Sequence, residues 1–176
     1  LPFTKEMPKE MMPIFSKAFT KKRVVLPLLQ YIYEQLYSMS FRDYCFVVGR
    51  EKRSIEDHFT PHEVYLKGLA GDDKKLITNF YHKLEKSHLV WINQNKPLGF
   101  GDAVKRAQRY VGTEDFIVHA GDVTILSKQK HPILRLKETA KKNPDAKAIL
   151  LCKKISDFKR YGVPTIDKIS NNLFSV

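Results

Sequence analysis

Cysteine is scarce in this chain. Only Cys45, in DYCFVV, and Cys152, in AILLCKK, occur among 176 residues, and both sit in apolar, strand-like runs. The expectation is two reduced, buried thiols, which sets aside a disulfide framework and a zinc centre. No run of eighteen apolar residues is present, and residues 1–20 show no charged segment followed by an apolar one. That predicts neither a membrane span nor a secretion signal, and so a cytoplasmic protein. A serine elbow, a cysteine paired with histidine and a Walker loop are also missing, so covalent catalysis is not expected. The last shortage is of acid. Nineteen Asp and Glu stand against 31 Lys and Arg, a formal net charge of +12, which implies anionic partners. The basic residues come as scattered pairs (Lys74 and Lys75, Lys141 and Lys142, Lys153 and Lys154) rather than as one stripe interleaved with aromatics. Most of them are read as solvated faces; the excess suits nucleic acid or phosphorylated small molecules alike, and charge alone does not choose between them.

What is present is ample apolar content, 43% of residues with 11% aromatic, enough for one packed core and a single domain over residues 1–176. Helical spacing predicts helices over 27–39, with Pro27 in the first turn, over 51–59, ended by Pro61, and over 72–87, 101–110 and 132–143. Short apolar, β-favouring runs predict strands at 44–48, 89–92, 116–120 and 147–152. That alternation is the signature of βαβ units: an α/β fold, Rossmann-like, with a mostly parallel sheet and helices on both faces. Ligands in such sheets bind beyond the carboxyl ends of the strands, which directs attention to the loops after Val48, Ile92, Ala120 and Cys152.

Asp122 lies two residues past the third strand, in AGDVTIL. It suits either a hard cation such as magnesium or a turn or cap aspartate. The loop QNKPLGFGDAV, residues 94–104, lacks the third glycine of the dinucleotide fingerprint, and a plain strand-to-helix turn accounts for it. A sharper alternative is base recognition, since a glutamine amide can donate and accept across a pyrimidine edge and glycine lets a flat ring approach the backbone. His58 and His62 are four apart, but Pro61 breaks the helix that would align them as ligands. His119 reads as a satisfied, partly buried strand residue. Lysine, aspartate, glutamine and glycine at strand ends remain, the equipment of phosphate positioning and charge neutralisation.

Five motifs, LPFTKEMPKEMMPI, GREKRSIEDHF, QNKPLGFGDAV, GDV and KRYGV, occur in the order and at roughly the intervals found in the sugar-1-phosphate nucleotidylyltransferases. Nearly the whole chain resembles that family, with PKEM and KRSIEDHF pointing to its branch of UTP–glucose-1-phosphate uridylyltransferases. The resemblance implies a nucleotide-diphospho-sugar transferase fold and the formation of UDP-glucose and pyrophosphate from UTP and glucose 1-phosphate. It implies that Lys9 contacts phosphate, that Gln94 and Gly99 read the uracil edge, that Asp122 holds magnesium, and that Tyr161 and Gly162 line the sugar pocket. Lys5 is a weaker phosphate candidate. The family's glycine-rich half-loop before the opening Leu-Pro, and its later Glu-Lys-Pro segment and second metal aspartate, have no counterpart here, so the reading expects a core trimmed at both ends. Thymidylyl transfer or another sugar phosphate is the nearest alternative. A catalytically incomplete basic module binding nucleotide or RNA is a more distant one, and homo-oligomerisation stays open.

Overall fold

The computed structural model describes residues 7–17, 23–127, 129–157, 159, 162–170 and 173–175. The chain falls into two compact units, Leu1–Ile125 and Leu126–Val176. In the first unit, strands β1 (Pro13–Ser16) and β2 (Val24–Pro27) form an antiparallel pair in which Pro13 faces Pro27. A ladder end tolerates proline because the missing N–H has no bond to make there. Pro27 is therefore the last residue of β2 and the cap of helix α1 (Leu28–Ser38) rather than a first-turn residue. No side chain caps α1. One of its free N–H groups, that of Leu28, is satisfied across the chain by the Met12 carbonyl at 2.9 Å.

Strand β3 (Asp43–Val48) pairs in parallel with β4 (His88–Asn93), in the register Tyr44↔Leu89 through Val48↔Asn93. The crossover between them carries α2 (Arg53–His58), α3 (Glu63–Lys67) and α4 (Gly71–Glu85). Helix α4 opens with Asp72 and Asp73 and carries Lys83 in its last turn, charges that suit its dipole. Phe80 and Leu84, one turn apart, are its buried face. They join Leu29, Tyr33, Tyr44, Ile55 and Phe59 in the core. Tyr33 stands at the centre, with ring contacts to Tyr44 at 4.9 Å, Phe59 at 5.5 Å and Phe80 at 6.0 Å. Its hydroxyl meets Ser87 Oγ at 2.9 Å, and burial pushes its pKa up to about 12. A buried polar chain crosses the same region. His58 Nε2 donates to Gln30 Oε1 at 2.9 Å, Gln30 Nε2 donates to Glu34 at 3.3 Å, and Glu34 pairs with Lys83.

Two expected strands do not form. Residues 116–120 and 147–152 enter no ladder, and Phe116, Val118, Leu150 and Leu151 are exposed. An apolar run becomes a strand only when a neighbouring edge supplies hydrogen-bond partners, and among the described residues neither run meets one. Cys152 is consequently exposed rather than buried, while Cys45 in β3 is half-buried with its thiol pKa pushed up by burial. His119 lies outside any strand, its ring Nδ1 at 2.8 Å from the Ala120 carbonyl. The α/β class stands, with its described parallel sheet limited to β3 and β4.

After β4 come α5 (Phe100–Arg106) and α6 (Gln108–Val111). The second unit contains α7 (Pro132–Lys142), whose first turn is capped by His131 Nδ1 accepting from the Ile133 N–H at 3.3 Å. It also contains the antiparallel pair β5 (Asp167–Ser170) and β6 (Leu173–Ser175). Among the described residues, no helix is long and apolar enough to cross a membrane.

Candidate active site

Parallel pairing brings the carboxyl ends of β3 and β4 side by side, Val48 opposite Asn93. Gln94 follows at once, its backbone N–H held by the Val48 carbonyl at 2.7 Å. The loop that begins there turns into α5 at Gly99, whose φ of 102° is costly for any other residue. A Cβ at Gly99 would meet nothing within 4 Å, so the backbone is open to an approaching ring. The turn folds Gln94 back on the helix start: its Nε2 donates to the Gly99 carbonyl at 3.2 Å and to Asp102 Oδ2 at 2.8 Å. The same Asp102 oxygen accepts from Arg106 Nε at 2.8 Å, one helical turn on. The hydrogen bond from Gln94, then that from Arg106, hold the Asp102 carboxyl below its ordinary pKa. The two residues expected to read a base are thus adjacent. The donor side of the Gln94 amide is already occupied, which leaves its oxygen for a ligand.

Lys9 opens a single 3-10 turn, Lys9–Met11, set off by Pro8 and closed by Met12 N–H on the Lys9 carbonyl at 3.1 Å. The turn touches α1 and α2. The neighbouring Glu10 is gripped by Lys52, whose Nζ lies 2.8 and 3.1 Å from the two carboxylate oxygens. Lys52 follows β3 by four residues, so the pair tethers the Lys9 turn to the carboxyl end of the sheet. On its other side Glu10 packs on Gly121, where an added Cβ would meet Glu10 Cγ at 3.2 Å and Leu29 Cδ1 at 3.5 Å. A side chain at 121 would ask Glu10 to give by a few tenths of an ångström. Asp122 follows directly, in a turn whose Val123 N–H reaches the Ala120 carbonyl at 3.4 Å, and its Oδ2 lies 3.9 Å from Lys9 Nζ. The two side chains are 59% and 42% exposed. Such a pair contributes roughly 0–1 kcal/mol, too little to hold the segments, and it leaves both groups open to ligand.

Asp122 offers one hard oxygen ligand, and no group of three His, Cys, Asp or Glu able to hold a metal is found among the described residues. This donor set fits magnesium carried in with phosphate oxygens and water, not an all-protein cage. His58 and His62 both have structural partners: His58 is bonded to Gln30, and His62 Nδ1 accepts from the Tyr65 N–H at 3.1 Å to cap α3. Gly162 belongs to the second unit, with nothing within 4 Å of where a Cβ would stand. Tyr161 and Lys5 lie outside the described residues. The sequence reading overlooked Glu10, Lys52, Asp102 and Arg106. The spacing of Asp102 and Arg106 on one helix face was a usable signal, whereas nothing local announces Glu10 with Lys52.

A search of protein-family models gives no match. The fold is that of the nucleotide-diphospho-sugar transferases. A solved apo UDP-glucose pyrophosphorylase superposes with a TM-score of 0.67 at 27% identity, covering 82% of this chain and 50% of the other. A UDP-glucose pyrophosphorylase complexed with UDP-glucose gives 0.60 at 29% identity over 82% and 49%. By sequence the chain is a homologue of the UTP–glucose-1-phosphate uridylyltransferases. It is 30% identical over 181 residues to uridylyltransferase 1 of Staphylococcus saprophyticus, covering 100% of this chain and 58% of that protein. It is 37% identical over 122 residues to the Streptococcus pneumoniae enzyme, covering 69% and 38%. The chain therefore spans 58% of the one relative and 38% of the other.

Proposed function

We propose that this protein takes part in uridylyl transfer, joining UTP and glucose 1-phosphate into UDP-glucose with release of pyrophosphate. The observation that carries the reading is the placing of Lys9 and Asp122 3.9 Å apart, with Glu10 and Lys52 tying their segments to the strand ends beside the Gln94 loop. The names of the relatives, and the UDP-glucose in one solved neighbour, support the choice of substrates.

In this reading a glucose 1-phosphate oxygen attacks the α-phosphorus in line and pyrophosphate departs on the opposite side. The attacking oxygen is already ionised, so no general base is needed. The difficulty is the meeting of two polyanions: at ~4 Å two unit charges repel by about 4 kcal/mol at an effective dielectric of ~20. Lys9 offsets that repulsion at the phosphates. Magnesium, when bound, supplies further charge neutralisation at the α-phosphate, and Asp122 is the residue that would hold it. Gln94 and Gly99 take the uracil edge. Tyr161 and Gly162 are assigned to the sugar.

The test is pyrophosphate release from UTP and glucose 1-phosphate with magnesium. Lys9→Ala is expected to lower turnover more than it weakens UTP binding, because charge accumulates in the transition state. No release by the wild type, or unchanged turnover in the variant, overturns the reading. Substituting TTP for UTP, and other sugar 1-phosphates for glucose 1-phosphate, separates this activity from its nearest relatives.

A further inference from the structure

We propose that Asp102 is a specificity-determining residue: it fixes the Gln94 side-chain amide so that only the oxygen faces the nucleobase, selecting pyrimidines with a ring N–H over cytosine. This rests on the reading of Gln94 as the base-contacting residue.

The orientation follows from the inventory of donors and acceptors. An amide NH2 has two protons, and the two partners of Gln94 Nε2 are the Gly99 carbonyl at 3.2 Å and Asp102 Oδ2 at 2.8 Å. A carbonyl and an ionised carboxylate can only accept. Turning the amide over would set its oxygen against both and lose two hydrogen bonds, one of them charge-assisted. Asp102 stays ionised because Arg106 Nε donates to the same oxygen at 2.8 Å, with the two side chains only 22% and 29% exposed. Its lowered pKa, caused first by the Gln94 bond and next by Arg106, keeps the carboxylate an acceptor throughout the neutral range. Gly99 is fixed in turn, because it caps α5 and its carbonyl also takes the Ala103 N–H at 3.3 Å. The Oε1 atom of Gln94 has no partner among the described residues.

A lone acceptor at this position reads one feature of the base. Uracil and thymine present a ring N3–H between two carbonyls, and Oε1 accepts that proton. Cytosine presents at that place a bare N3 lone pair, which repels an acceptor. Were the amide free to turn, Gln94 could offer an N–H to cytosine instead, and the discrimination would be lost. The lock thus makes a glutamine, ambiguous by nature, behave as a one-way acceptor. It does not separate uracil from thymine, since both carry the same N–H.

The experiment is displacement of a fluorescent UTP analogue by UTP, TTP and CTP at pH 7, with wild type, Asp102→Asn, Asp102→Glu and Gln94→Ala, each checked by thermal melting. Asp102→Asn can donate to a turned Gln94, and is expected to reduce the UTP-to-CTP affinity ratio at least tenfold while leaving UTP to TTP within twofold. A merely structural role would shift all three nucleotides together. Asp102→Glu keeps an acceptor-only carboxylate and is expected to hold the UTP-to-CTP ratio within about threefold of wild type. It also keeps the test decisive should the asparagine variant fail to fold, because a ratio that collapses with glutamate present overturns the lock. An unchanged ratio in Asp102→Asn overturns it too. If Gln94→Ala keeps full discrimination, the base-reading assignment itself falls, whereas loss in Gln94→Ala with none in Asp102→Asn removes the lock alone.

Discussion

Breaking the ion pair between Lys52 and Glu10 tests how Lys9 is held in place. The perturbations are Lys52→Met, which keeps the aliphatic stem, and Glu10→Gln, which keeps the shape. The side chains are 28% and 23% exposed and the shorter contact is 2.8 Å, for which the gross attraction at an effective dielectric of ~20 is about 6 kcal/mol. Desolvation and the ordering of a long lysine take back most of it. Exposed pairs retain roughly 0–1 kcal/mol, and breaking a buried pair costs about 3–5. A pair this far covered should couple by about 1–2 kcal/mol, a factor of roughly 5–30 in the docked-to-undocked ratio of the Lys9 turn. Each single variant is therefore expected to lower kcat/KM for UTP by up to that factor, and the double variant to be no worse than the poorer single one. A charge exchange, Glu10→Lys with Lys52→Glu, should restore part of the loss. Steady-state kinetics on the four proteins closes the cycle. Losses that add would mean that Lys52 meets the phosphates itself, and unchanged singles would mean that Lys9 is placed without the pair; either refutes the reasoning.

Burial lowers the His58 pKa, so between its ordinary value near 6.5 and the folded value the unfolded chain binds a proton that the folded chain does not. Stability should then be flat above about pH 7 and fall as pH drops through 6.5 toward the folded value. Urea titrations in His58→Phe should lose that slope; a slope that persists unchanged assigns it elsewhere. Phe80, 1% exposed among Tyr33, His58 and Phe59, should cost about 3–5 kcal/mol on truncation to Ala. That lowers Tm by roughly 6–20 °C in a chain this size, and a fall below 3 °C would show that the ring is not central to the core.

The elements visible in the sequence are those whose signal is local. α1 and α4 announce themselves through apolar residues one turn apart, and β3 and β4 through continuous β-favouring runs that the crossover then pairs. The runs at 116–120 and 147–152 look the same in sequence, yet stay exposed and unladdered, because strand propensity is conditional on an edge that the run itself does not encode. The converse error is the β1–β2 pair. Pro13 and Pro27 argue against strands until they are seen facing one another at the ladder end.

The site divides in the same way. Gln94, Gly99, Asp102 and Arg106 lie within one strand-to-helix turn, where backbone geometry sets who meets whom, and the first two were singled out by the family resemblance. Lys9 with Asp122, and Glu10 with Lys52, meet only through the packing of α1 and the close passage of Gly121. The two kinds of contact also differ in strength in a way that suits a polyanionic ligand. Lys52–Glu10 and Arg106–Asp102 are direct pairs at 2.8 Å with mostly covered side chains, whereas Lys9–Asp122 stands at 3.9 Å and is about half exposed. On the proposed function, an arriving phosphate would compete with the weakest of the three. Under the proposed function it would draw Lys9 away from Asp122 without disturbing the pairs that hold the loops, with the net charge of +12 attracting the ligand and Lys9 less committed to its partner than Lys52 is to Glu10.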